Sequence, residues 1–80
     1  MEPNEKTVKE IISKIIKVPT DRLGNDDDLV EKHAMDSLAR VEIITELEKA
    51  FDITIEDSAA MQLRSVNKCL EFVKGQMLKK

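Results

Sequence analysis

Asp36-Ser37-Leu38-Ala39-Arg40-Val41-Glu42-Ile43-Ile44-Thr45-Glu46-Leu47-Glu48-Lys49-Ala50-Phe51 is the stretch on which the fold turns. Leu38, Val41, Ile44, Leu47 and Phe51 recur every three or four residues, broadened by Ile43 and Ala50. That spacing predicts a helix with one apolar stripe. Glu42, Glu46, Glu48 and Lys49 occupy much of its remaining surface, and Asp52 ends the run. Asp36 and Ser37 are both residue types that cap helices well. With Asp36 as the cap, Ser37 takes the first helical position and its hydroxyl lies near solvent. An anion joined there would meet open N–H groups at the positive end of the helix dipole.

Upstream, Val8, Ile11, Ile12, Ile15 and Ile16 have helical spacing, which predicts a helix from Asn4 to about Val18. Asn4 is one candidate cap, and Thr7-x-x-Glu10 offers a capping box instead. Pro19 closes the segment, because the residue before a proline is pushed out of helical conformation. Thr20 to Met35 shows no helical period and carries turn-formers at Gly24-Asn25 and Asp26-Asp27-Asp28. It reads as one long loop anchored by Leu23, Leu29 and Val30. A connection of that length in a small domain is uncommon and often functional.

Downstream, Ile53-Thr54-Ile55 alternates like a strand, but no partner strand exists, so it reads as extended linker. Asp57 to about Gln62 suits a short helix. Ser65 is a credible cap for a last helix, with Val66, Cys69, Leu70, Val73 and Met77 facing inward. Gly75 is expected to loosen its end, and Lys79-Lys80 to complement the negative end of its dipole. The fold expected is all-α: a small four-helix bundle of three longer helices and one short one. A long loop joins its first and second helices, and residues 1–80 form a single domain.

Composition narrows the function. The chain has 80 residues, 41% hydrophobic and 36% charged, with a net charge of −3. An acidic balance argues against nucleic acid, whose binding rests on Lys and Arg neutralising phosphates. It suits partners bearing basic patches. Cys69 is the one cysteine, which precludes an internal disulfide and fits a reducing compartment. Met1-Glu2-Pro3-Asn4 has none of the marks of a signal peptide, and no apolar run approaches the roughly 20 residues of a membrane span. The expected location is cytoplasmic.

Catalytic and metal chemistry find little support. His33 and Ser37 make an imaginable pair, yet the base-orienting group, oxyanion hole and dry pocket of a hydrolase are missing from the pattern. Cys69 lies on an apolar face and reads as a buried structural thiol. Asn25-Asp26-Asp27-Asp28 is rich in oxygen but lacks the glycine and late glutamate of a calcium loop. One His and one Cys make no structural zinc site. No enzyme and no metal are expected, and the acidic triplet reads as a solvated loop.

Leu29-Val30-Glu31 ahead of Asp36-Ser37-Leu38, then Val41-Glu42-Ile43-Ile44, Leu47-Glu48 and Phe51-Asp52-Ile53, resemble the acyl carrier protein family. Ile55-Glu56-Asp57 and Ser65-Val66 extend the resemblance over essentially the whole chain. The triplet alone is weak; with these flanks at these distances it is strong. The resemblance implies a covalent 4′-phosphopantetheine arm on Ser37, flanked by Asp36 and Leu38, and added from coenzyme A by a phosphopantetheinyl transferase. Acyl groups would ride as thioesters on the arm's thiol, for loading, elongating and transferring enzymes of fatty-acid, lipid or polyketide biosynthesis.

By the same resemblance, Asp36, Glu42, Glu46 and Glu48 would meet basic docking patches on those enzymes, with Arg40 in the same surface. Leu38, Val41, Ile44, Leu47, Ile55 and Met61 would part to shelter an acyl chain, and the carrier would act as a monomer. His33-Ala34-Met35 departs from the family's Leu-Gly, and Ala34 takes positive φ less cheaply than glycine. Arg40 stands where the family is neutral or acidic, and either pairs with the arm's phosphate or is a surface residue. With Lys32 it dilutes the acidic face, as in a carrier dedicated to one pathway. Two other readings share the sequence: an aminoacyl carrier (D-alanyl or peptidyl), and a helical interaction module with Ser37 unmodified.

Overall fold

The computed structural model describes residues 3–78, so Lys79-Lys80 lies outside the described residues. Five α-helices and one 3₁₀ turn make up the described chain, and no strand forms among these residues. The order is α1 (Pro3–Ile16), a 3₁₀ turn (Thr20–Arg22), α2 (Leu29–His33), α3 (Ser37–Phe51), α4 (Asp57–Ala60) and α5 (Val66–Leu78). The three long helices pack on one another, α1 against both α3 and α5. The all-helical expectation holds, with one short helix more than the sequence suggested.

Helix α1 buries Val8 and Ile12 completely, one turn apart, with Ile11, Ile15 and Ile16 packed at the core's edge. Fully burying such a side chain contributes roughly 1.5–3 kcal/mol. Asn4 and Thr7 both lie inside α1, so neither caps it. Pro3 opens the described helix, where a missing N–H is harmless. The end comes earlier than expected, at Ile16. Lys17 turns left-handed (φ 61°), and the Val18 N–H reaches back to the Ser13 carbonyl at 3.2 Å.

The expected long loop is corrected: it contains both the 3₁₀ turn and α2. Five residues are too few to show a hydrophobic period, and α2 is set by its ends instead. Asp28 accepts the N–H groups of Val30 (2.9 Å) and Glu31 (3.1 Å) as its cap. Ala34 closes it in the left-handed region at φ 56° and ψ 35°, the conformation glycine takes more cheaply. Leu23 and Leu29 are buried anchors as predicted, and Met35 joins them, while Val30 is exposed.

Ile53 and Ile55 are buried along an extended segment, as read from the sequence. Ser65 accepts the Lys68 N–H at 3.1 Å and caps α5, whose Val66, Cys69, Leu70 and Val73 enter the core. Met77, placed inward by the pattern, is 42% exposed. Gly75 does not interrupt α5, which runs on to Leu78.

The stripe on α3 is also corrected. Its inward line is Ile43 and Leu47, flanked by Ala39, Ile44 and Phe51, whereas Leu38, Val41 and Ala50 are exposed. Each step of three residues falls about 60° short of a full turn. From 38 to 41, 44 and 47 the positions therefore drift through about 180°. Leu38 and Leu47 end on opposite sides of one helix.

Candidate functional site

The first turn of α3 is built by Asp36. Its backbone is extended (φ −99°, ψ −179°), and its carboxylate accepts the Ala39 N–H at 2.8 Å. The Asp36 carbonyl takes the Arg40 N–H at 3.0 Å. Ser37 follows as the first helical residue, exposed, with its hydroxyl bonded to no described residue. The amides of Ser37 and Leu38 have no intrahelical partner at this end. No acidic side chain occupies the first turn.

The approach to Ser37 is held from three sides. Asp28 pairs with Arg64 at 3.0 Å, and the Leu29 N–H donates to the Arg64 carbonyl at 2.7 Å. Asn67 at the head of α5 donates its backbone N–H to the Asn25 carbonyl at 3.0 Å and its amide side chain to Asp26. Asn25 in turn donates to Glu5 of α1 at 2.9 Å. Within the connection, Asp27 takes the Gly24 N–H at 2.9 Å, meets His33 at 3.0 Å and Lys32 at 3.3 Å. A Cβ on Gly24 would lie 2.7 Å from the Asp27 carboxylate, which would have to shift to admit it.

Expected as a solvated run, the triplet is instead wired into the fold. His33 and the Gly24 amide beside Asp27 hold its carboxyl below the ordinary 3.8. The Glu31 N–H, with Arg64 and the Val30 N–H, does the same for Asp28. No group of three metal-ligating side chains gathers among the described residues. His33 turns to Asp27 and bonds nothing at Ser37.

The acidic residues singled out on α3 do not share one face. Glu42 and Glu46 line a groove of about 440 Å³ with Thr7, Glu10, Ile11, Lys14 and Ile15 of α1. Glu48 is half-buried, and its carboxylate accepts the Ile55 N–H at 2.9 Å. Asp36 is engaged as the helix cap. Arg40 is half-buried, and its guanidinium pairs with no described carboxylate.

Nor do the six apolar residues expected to line a pocket form one wall. Leu47 and Ile55 are buried and Ile44 partly so, but Leu38, Val41 and Met61 are 68%, 58% and 69% exposed. Sequence reading missed the contributions of Arg64 and Asn67. Only their placement across the fold from residues 25–29 reveals them, and no local pattern signals it.

Comparison with known proteins points one way. The family model for the phosphopantetheine attachment site matches residues 6–73. The chain is 34% identical over 76 residues to an acyl carrier protein of Buchnera aphidicola subsp. Acyrthosiphon pisum (strain 5A), covering 95% of each chain. It is 35% identical over 72 residues to the acyl carrier protein of Buchnera aphidicola subsp. Schizaphis graminum, covering 90% of this chain and 91% of that one. With the acyl carrier protein of Rubrobacter xylanophilus it shares 38% over 72 residues, 81% of this chain and 89% of the other.

Proposed function

Because the chain belongs to the acyl carrier protein family, a family of phosphopantetheine attachment, we propose that Ser37 bears the covalent 4′-phosphopantetheine arm. The protein is a carrier and not a catalyst. The observation that carries the assignment is the exposed, unbonded Ser37 hydroxyl at the first position of α3. The residues fit the group. Open amides of the first turn face a phosphate favourably, no first-turn carboxylate repels it, and Asp36 fixes the turn through its cap. The bound arm would supply a flexible thiol on which acyl groups form thioesters.

Residues 1–80 act here as one carrier domain and as a monomer. Its partners are a phosphopantetheinyl transferase and enzymes that load, extend or transfer acyl chains in fatty-acid, lipid or polyketide biosynthesis. Exposed Asp36, Glu42 and Glu46 favour basic patches on such partners. No described helix is long and apolar enough to cross a membrane. The lone thiol fits a reducing compartment such as the cytoplasm.

Incubation with coenzyme A and a broad-specificity phosphopantetheinyl transferase tests the assignment. The full chain should gain the mass of one phosphopantetheine, and Ser37→Ala should gain none. A thiol reagent at neutral pH should then label the loaded protein once. Cys69 stays silent, since burial pushes its thiol up to about 12 and only the thiolate reacts. Absence of any gain by the wild type would sink the carrier reading in favour of an unmodified interaction module.

The cargo's shelter is the second part of the proposal. An acyl chain would pass from solvent-facing Leu38, Val41 and Met61 toward Ile44, Leu47 and Ile55. Each methylene removed from water would contribute about 0.8 kcal/mol. Loading an eight-carbon acyl group should shift the methyl resonances of Leu47 and Ile55. Changes confined to exposed residues would remove the shelter and leave the arm's assignment standing.

A further inference from the structure

Arg40 is the one cation in the first two turns of α3. Along a helix its neighbours at three and four residues are Asp36 and Ser37 on one side, Ile43 and Ile44 on the other. Position 40 lies one turn from Ser37 on the same face of α3, and long helical side chains lean toward the N-terminus. The Asp36 carboxylate is occupied by the Ala39 N–H and forms no ion pair with Arg40. Arg40 is half-buried, with Ile43 buried and Ile44 partly buried one turn further on. By contrast, Arg64 is tied to the Asp28 carboxylate.

We infer that Arg40 is a positioning residue for the arm: its guanidinium pairs with the phosphodiester on Ser37 and directs the arm's root along the Arg40 side of α3. The inference rests on the Ser37 assignment. A phosphodiester keeps one negative charge at neutral pH and presents two oxygens, which the forked guanidinium matches. The pair is partly exposed, so added salt weakens it.

The test uses the full chain, unmodified and loaded, at low and high ionic strength. Intact mass first establishes that the arm has been added. On loading, the Arg40 Nε–Hε resonance should shift and its exchange with water slow, and high salt should return both toward the unloaded values. The ³¹P resonance should differ between the wild type and Arg40→Gln, with Arg40→Lys in between, because lysine keeps the charge and loses the fork. Mass gain with an unmoved Arg40 resonance overturns this inference alone and leaves the guanidinium to an acidic group on a partner. No mass gain by the wild type overturns both readings. The wild-type comparison stands even if Arg40→Gln fails to fold.

Discussion

The connection from Leu23 to Asp36 and the helix start from Ser37 to Val41 are adjacent in sequence and opposite in construction. In the first, nearly every polar side chain is committed: Asp26 to Asn67, Asp27 to His33 and Lys32, Asp28 to Arg64. In the second, the Ser37 hydroxyl and the Arg40 guanidinium bond to no described residue, and Leu38 and Val41 lie open to solvent. The contrast separates holding from presenting. Contacts that fix the approach leave the helix start free for a covalent group and for partners.

Two leucines of α3 give the largest test of that contrast. Leu47 is fully buried and Leu38 is 68% exposed. Leu47→Ala should cost about 2–5 kcal/mol, through lost burial and the cavity left behind. Leu38→Ala should stay within about 0.5 kcal/mol. Urea unfolding of both variants decides it. Equal losses would mean that the exposed face is a structural one, and the division between holding and presenting would fall.

Acid should loosen the connection through Asp27 and Asp28. Asp27 and Asp28 titrate below the ordinary 3.8 in the fold. A depressed folded value means that their contribution is complete above 3.8 and is lost as pH falls below it. Exposed pairs contribute little singly, so the effect is smaller than that of Leu47→Ala. Melting temperatures should hold down to about pH 4 and then decline. The Asp27→Asn, Asp28→Asn double variant should start lower and decline less steeply. An unchanged acid slope in that variant would show that the triplet does not hold the connection.

The same contrast explains what the sequence made legible. Helices α1 and α5, the caps Asp36 and Ser65, and the position of Ser37 all follow from local rules of spacing and capping. Helix α2 escapes those rules because it spans only Leu29–His33 and is defined by Asp28 and Ala34 at its ends. The face of α3 was misread because steps of three look like a stripe while rotating around the helix. The ties from Arg64 and Asn67 to residues 25–29 cross some 40 positions of sequence, where no periodicity can report them.

Ala34 supplies the smallest effect and the most local one. It holds a left-handed backbone at φ 56°, just before buried Met35 and the Asp36 cap. An L-residue with a Cβ is disfavoured there by roughly 1–2 kcal/mol, and glycine is not. Glycine also frees the unfolded chain, which returns about 0.4–1 kcal/mol of that advantage. Ala34→Gly should therefore raise stability by about 0.5–1 kcal/mol. Glycine at Ala39, inside α3 with ordinary helical geometry, should instead cost about 1 kcal/mol. Denaturant midpoints of the two variants should move in opposite directions. A loss at both positions would mean that the turn into Asp36 takes its shape from the wired connection and carries no strain at Ala34.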